Sequence, residues 1–366
     1  MLNDLLSYSV TQLLTVGPER IPMSTVRQRP VQRPTSDEPT RDLREVLSLL
    51  YTGIEPELRR VDARLASELR SDHPDADAVI RHGIRLAGKR LRPALLLLAG
   101  QAVGTLRDEH ITLAAVVEMI HTATLVHDDV LDEAAIRRHV ETVNARWNNE
   151  TSVLLGDFLF THAFYLASTL ESTYACRTIG RATNIVCDGE LRQTLASGNV
   201  NLSESQYLAI IEAKTAELCA CCCELGARYA GGDAETTARL ASFGRLLGIA
   251  FQIADDLLDL EGNEAATGKS LGTDLAKCKM TLPLIHARES LPPLERKRFL
   301  AALVADASTG REVLRQWLTR HDSLGYARAQ AQQYADRAQA ELDGLPPSSA
   351  CEALAALAEF AVARRA

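Results

Sequence analysis

"AAVVEMIHTATLVHDDVLDEAAIRR", residues 114–138, reads as a helix that changes character half way along. Its first half repeats Ala, Val, Met, Ile and Leu and has the composition of a buried helix wall. Its second half gathers Asp128, Asp129, Asp132, Glu133, Arg137 and Arg138. At 3.6 residues per turn, Asp128 and Asp132 share one helix face about 6 Å apart along the axis, with Asp129 one step round. The same arrangement returns in "QIADDLLD", residues 252–259, where Asp255 and Asp259 share a face and Asp256 stands beside them.

With 22 aspartates in 366 residues, Asp-Asp-x-x-Asp is expected by chance only ~0.08 times, so two copies are a signal and not a consequence of composition. The apolar neighbours argue against a solvated acidic helix end: Leu125, Val126, Val130 and Leu131 flank the first cluster, Ile253, Ala254, Leu257 and Leu258 the second. Two carboxylates ~4 Å apart repel by about 4 kcal/mol at an effective dielectric of 20, so six of them demand cations. Hard oxygen donors with no His/Cys set point to Mg²⁺, which takes one or two carboxylates and completes its shell with water and substrate phosphate oxygens. The chemistry implied is binding of a metal–diphosphate.

Basic residues fit that chemistry. Arg137 and Arg138 follow the first cluster, Lys89, Arg90 and Arg92 lie in "GKRLRP" at a helix start, Lys214 in "EAKTAE", and Lys269, Lys277 and Lys279 follow the second cluster. One set of cations can hold a metal-free phosphate group while the aspartates hold a metal-bound one; Arg90 and Lys277 read equally well as surface charge. His121 stands seven residues before Asp128, two helical turns away on the same stripe.

Composition sets the frame. The chain is 46% hydrophobic but only 5% aromatic, so its core is Leu, Ala, Ile and Val, and helical spacing runs through nearly every window from Arg41 onward. No segment alternates with period two for long enough to make a strand, and no internal repeat is visible. The expected fold class is all-α, a single domain over residues 41–366, preceded by a proline-bearing tail over 1–40 that reads as poorly ordered. The net charge of −8 weighs against a nucleic-acid partner. The eight cysteines suit neither a disulfide framework nor a zinc site, and four of them in "CACCC" read as small residues packed inside a helix. With no membrane-length apolar run and no signal-like N-terminus, the expected location is the cytoplasm.

The stretches "GKRLRP", "HTATLVHDDVLDEAAIRR", "LLGDFLF", "GELRQ", "KTAEL", "AFQIADDLLDLEG", "GKS" and "KMTLPLIHA" resemble, in order and spacing, the trans-isoprenyl diphosphate synthases, over roughly residues 45–360. The resemblance is nearest to the long-chain polyprenyl members. It implies an isoprenoid-synthase helical bundle around a deep central cavity, working as a homodimer on isopentenyl diphosphate and an allylic diphosphate. It implies Mg²⁺ held by Asp128, Asp132 and Asp255, with Asp129, Asp256 and Asp259 in support. Arg137, Lys214, Thr215, Gln252 and Lys269 then contact the allylic diphosphate, and Lys89, Arg92, His121 and Arg138 the isopentenyl diphosphate; Lys279 belongs to the same substrate-binding set. Three positions depart from the family pattern: His139, Asn148 and Cys278 stand where glycine is usual.

Wheel geometry puts Thr124 one turn below Asp128 and Val117 further down, whereas Ala123 is turned away and is marked as a chain-length position by the resemblance alone. Both Ala123 and Thr124 are small, which predicts a medium-to-long, octaprenyl-like product, with "FYLAS" (164–168) at the deeper floor. The competing readings are a geranylgeranyl or farnesyl diphosphate synthase, a terpene cyclase, and a non-catalytic subunit of a heteromeric synthase.

Overall fold

In a computed structural model, which describes residues 51–86, 88–261, 279–303 and 307–363, the segment that opened the sequence reading is the central helix of a helical bundle. A short 3₁₀ turn leads into α1 (Glu55–Glu68), followed by α2 (Pro74–Leu86), α3 (Leu91–Val103) and α4 (Asp108–Leu131). Next come strands β1 (Ile136–Arg137) and β2 (Val140–Glu141), then α5 (Val143–Arg146), α6 (Asn149–Ser168) and α7 (Tyr174–Leu195). α8 (Glu204–Ile211) runs through a π turn (Glu212–Ala216) into α9 (Glu217–Tyr229), and the long α10 (Ala234–Glu261) follows. The C-terminal part comprises α11 (Leu282–Ser290), α12 (Pro293–Leu303), α13 (Ala307–Arg320), α14 (Ser323–Leu342) and α15 (Ser349–Ala363). The tail over residues 1–40, Lys269, Lys277 and Cys278 lie outside the described residues.

α3 and the first half of α4 are buried all round, from Pro93 to Gly100 and from His110 to Ile120. That explains why neither shows a polar stripe in sequence: a helix surrounded by others has no solvent face. α4 packs on α6, α9 lies between α3 and α10, and α10 runs along α14. Small residues set these spacings. A Cβ on Gly244 of α10 would lie 2.5 Å from the Cys219 carbonyl oxygen, and one on Gly226 of α9 would collide with the Leu96 carbonyl oxygen of α3. Cys219, Cys221, Cys222 and Cys223 are buried and free, and burial pushes all four thiols up, so they pack as small apolar groups. The buried His110 pins the start of α4: its Nδ1 accepts the Arg107 N–H at 3.0 Å and its Nε2 donates to the Gly226 carbonyl at 3.1 Å.

The apolar side chains form two cores. One takes in α1 to α7, α9, the first part of α10, the last part of α14 and α15; the other collects α8, the later part of α10, α11 to α13 and the first part of α14. The π turn passes from one to the other, since Ile211 and Ala216 belong to the second core and Leu218 to the first.

A small hairpin is the one element among the described residues that the helical reading does not contain. α4 ends at Leu131, Asp132 caps it still in helical conformation, and β1 pairs antiparallel with β2 in the register Ile136↔Glu141, Arg137↔Val140. The two turn residues are Arg138 (φ 53°) and His139 (φ 63°), both left-handed, as a two-residue type I′ turn requires. The base of the hairpin is tied by Thr142 Oγ1 donating to the Ala134 carbonyl at 2.6 Å and by Asn144 Nδ2 donating to the same oxygen at 3.1 Å. Arg137 and Arg138 therefore sit on a hairpin, not on a continuation of the helix. Asn148 caps α6, its side-chain oxygen accepting the Thr151 N–H at 2.7 Å, so the departure from glycine there has a structural use.

A non-glycine residue in the left-handed region costs about 1–2 kcal/mol, part of which glycine returns through unfolded-state entropy. His139→Gly is therefore expected to raise the unfolding free energy by about 0.5–1 kcal/mol in urea titrations. A destabilised H139G protein would contradict the strained turn.

Candidate active site

The first cluster divides into one buried and two accessible carboxylates. Asp129 is 1% exposed and locked, its Oδ1 accepting from both Nε and Nη2 of Arg137 at 2.8 Å. Asp128 is half-buried and Asp132 exposed. Lys214 reaches across from the π turn, with Nζ 3.6 Å from Asp128 Oδ2 and 2.5 Å from Glu190 Oε2 of α7. This approach needs Gly189, where a Cβ would stand 2.6 Å from the Lys214 backbone nitrogen. The π turn widens the helix by one residue and aims Lys214 and Thr215 at the site; such bulges are frequent at functional positions.

The second cluster repeats the division. Asp256 is 3% exposed; its Oδ2 accepts from the Tyr207 hydroxyl at 2.7 Å and its Oδ1 from Gln252 Nε2 at 2.8 Å. Asp255 and Asp259 are half-buried. Gln252 Oε1 in turn accepts from Thr215 Oγ1 at 2.8 Å. Because Thr215 follows Lys214 directly, one polar chain runs Asp128–Lys214–Thr215–Gln252–Asp256–Tyr207 and joins both clusters across α4, the π turn, α10 and α8.

Arginines gather around His121, two turns before Asp128 on α4. Burial first, then Arg92, Arg138, Arg137 and Arg90, hold the His121 imidazole well below the usual histidine range, so it is neutral at pH 7. Arg138 donates from Nη1 to the Leu86 carbonyl at 3.0 Å, and its guanidinium covers Gly88, where no Cβ would fit. Arg92 Nε is buried without a hydrogen-bond partner among the described residues. Arg90 is not a surface charge: its side chain is 20% exposed, in left-handed backbone at the start of α3, and pairs with Asp62 and with the 2%-exposed Glu118, each at 2.8 Å. Lys89 is exposed and Lys279 half-buried. On α4, Ala123 is 1% exposed and Thr124 half-buried, its hydroxyl donating to the His121 carbonyl at 2.8 Å. Within "FYLAS", Leu166 and Ala167 are buried but Tyr165 is 62% exposed, so the stretch does not face inward as a whole.

Three participants escaped the sequence reading, Glu190, Glu118 and Tyr207, while Arg90 was read there with surface charge as an equal alternative. Glu190 lay within the quoted "GELRQ", and Tyr207 stands two helical turns before Lys214; those were the available signals. Glu118 looked like an ordinary charge in an apolar run, and only the fold shows what it pairs with.

The donor set fits a divalent cation. Burial pushes the Asp128 carboxyl up to about 6; Lys214 and Arg137 pull it back, and Glu190 and Asp132 add to the rise. Carboxylate oxygens without a His or Cys set are the ligands a hard ion such as Mg²⁺ takes.

Two aspartate clusters joined through Lys214, Thr215 and Gln252, with arginines gathered around a neutral histidine, are set on a helical bundle and its one small hairpin. Residues 73–319 match the polyprenyl synthetase family. The chain is 38% identical to octaprenyl diphosphate synthase of Haemophilus influenzae over 85% of its length and 94% of the relative's. It is 38% identical to nonaprenyl diphosphate synthase of Mycobacterium tuberculosis over 83% and 91% of the two chains. A decaprenyl diphosphate synthase from Rhodobacter capsulatus superposes with a TM-score of 0.81 at 34% identity, covering 87% of this chain and 98% of that one. A polyprenyl synthase from Caulobacter crescentus, solved with calcium and isoprenyl diphosphate, does so with 0.81 at 38%, covering 88% and 98%. The chain belongs to the polyprenyl synthetase family and is a prenyltransferase with the all-α fold of the trans-prenyl synthases. No described helix is long and apolar enough to cross a membrane.

A histidine whose folded-state pKa is depressed stabilises the fold fully above its unfolded value of 6.5 and loses that contribution as pH falls below it. His121→Gln removes the titration. Between pH 7.5 and 5.5, H121Q is expected to lose about 1–1.4 kcal/mol less stability than the wild type in urea unfolding. Parallel losses would show that His121 titrates normally.

Proposed function

We propose that this protein is a Mg²⁺-dependent all-trans polyprenyl diphosphate synthase that condenses isopentenyl diphosphate head-to-tail onto an allylic diphosphate and makes a medium-to-long, octaprenyl-like product. The observation that carries this reading is the polar chain from Asp128 through Lys214 to Asp256, which gives two acidic clusters one shared site beside an arginine pocket.

Asp128, Asp132 and Asp255 would hold Mg²⁺, which when bound would supply the charge neutralisation that makes the allylic diphosphate a better leaving group. Lys214, Thr215, Gln252 and Arg137 hold the same diphosphate and stabilise the charge it gains as the carbon–oxygen bond breaks. Lys269 joins them by family resemblance. Lys89, Arg92, Arg138 and the neutral His121 hold isopentenyl diphosphate, and the orphaned Arg92 Nε is a donor ready for its oxygens. The isopentenyl double bond attacks the allylic cation, and the proton then lost passes to the released diphosphate, so no side-chain base is required. Lys279 adds positive charge after the second cluster.

The growing chain lies along α4 beneath Asp128, where the small Ala123 and Thr124 leave room. Two chains pair through the exposed apolar residues of α6 and α7: Leu154 (67% exposed) and Tyr165 (62%), and Leu191 (63%) and Leu195 (84%). Each pair lies on one stripe of its helix, and such exposed apolar patches mark interaction surfaces. The free cysteines fit a reducing cytoplasm.

Incubation with Mg²⁺, farnesyl diphosphate and labelled isopentenyl diphosphate is expected to give chain-extended diphosphates, with Ala123→Phe shortening the main product on chromatography. A hydrocarbon product would identify a cyclase, no product without an added partner would identify a dependent subunit, and an unchanged A123F product would refute the chain-length role. Light scattering is expected to report a dimer that Leu154→Asp with Leu195→Asp converts to monomer; a monomeric wild type would overturn the pairing.

A further inference from the structure

The middle aspartate of the second cluster is fixed from behind by a tyrosine to which nothing above assigns a role in the reaction. We infer that Tyr207 is a positioning residue for the substrate site, acting through Asp256 and Gln252 to set the π turn that carries Thr215 and Lys214. The inference rests on the reading of the aspartate clusters as a metal–diphosphate site.

Tyr207 is 2% exposed and its hydroxyl donates to Asp256 Oδ2 at 2.7 Å. A buried carboxylate turns toward its donors, because each unmade bond to a buried charge is expensive. With Oδ2 set by Tyr207, Oδ1 is placed for the Gln252 amide nitrogen at 2.8 Å. That fixes which way the Gln252 amide faces: nitrogen to Asp256, oxygen to the Thr215 hydroxyl at 2.8 Å. A flipped carboxamide would set its oxygen against the Asp256 carboxylate and lose that bond, and Thr215 would meet the amide nitrogen in place of the oxygen to which it donates. Lys214, one residue along, places its ammonium between Asp128 and Glu190. The tyrosine thus holds Asp256 back from the ligand-facing pair Asp255 and Asp259, and passes its constraint to the lysine at the first cluster without touching substrate itself.

The structure provides a matched comparison. Tyr326 of α14 also bonds a carboxylate, donating to Glu204 at the start of α8 at 2.9–3.0 Å, and among the described residues no hydrogen bond joins that pair to the aspartate chain. Tyr207→Phe and Tyr326→Phe each delete one hydroxyl from a tyrosine–carboxylate pair. The measurements are urea stability, calorimetric binding of inorganic diphosphate with and without Mg²⁺, and steady-state kcat and KM for farnesyl diphosphate. Y207F is expected to weaken Mg²⁺-supported diphosphate binding about tenfold, the value of one hydrogen bond to a charged group. Its KM for farnesyl diphosphate should rise while KM for isopentenyl diphosphate stays near wild type, and Y326F should leave both unchanged. Equal effects of the two variants, or a Y207F effect on stability alone, would overturn the inference. A wild type that does not bind diphosphate with Mg²⁺ would instead refute the site reading on which it rests. Should Y207F fold poorly, Tyr207→His, which keeps a ring donor for Asp256, is expected to hold Mg²⁺-supported diphosphate more tightly than Tyr207→Leu, and equal binding by the two would overturn the inference.

Discussion

One ammonium group holds the site together. Lys214 stands between Asp128 of α4 and Glu190 of α7, and its neighbour Thr215 is tied through Gln252 to Asp256 of α10. Without such a charge, two acidic clusters and a glutamate at close quarters would repel by several kcal/mol at the dielectric of a protein interior, about 4 kcal/mol for a pair at ~4 Å. Burial in the first place, and Glu190 and Asp132 after it, keep Asp128 hard to ionise against the pull of Lys214 and Arg137. Glycines at 189 and 244 let helices approach closely enough for the lysine to arrive where it is needed.

The two halves of the site solve opposite problems. At the acidic end burial raises Asp128, whereas burial together with Arg92, Arg138, Arg137 and Arg90 keeps His121 neutral. Glu118 is buried beside Arg90 and spends one oxygen on it. Asp129 and Arg137 are the exception, a pair that each side lends to the other as a fixed hinge post between them.

Much of this was legible in the sequence, and the parts that were not share a cause. The core helix, the duplicated aspartates, the helix start at "GKRLRP" and the buried cysteines follow from periodicity and composition, which are local. Division of each cluster into one anchored and two accessible carboxylates is not local: Asp129 is anchored by a residue eight positions on, and Asp256 by one 49 positions back. The hairpin was invisible because its strands have two residues each, too few to alternate, and because Arg138 and His139 occupy a turn that normally announces itself with Asn or Gly. Arg90 looked like surface charge because nothing near it in sequence reveals Glu118, 28 positions away.

The π turn at 212–216 also constrains how this chain can vary. A regular helix advances about 100° per residue, and a π turn accommodates one residue more than the α-helix it interrupts. Deleting any single residue there would close the turn into ordinary helix and leave α8 and α9 out of phase by that angle. Since Ile211 and Ala216 pack in one core and Leu218 in the other, both cores would have to turn with it. Substitutions along these five positions can be absorbed one at a time, but their number cannot change, so the segment behaves as a fixed-length spacer between two cores that α10 and α14 already tie together.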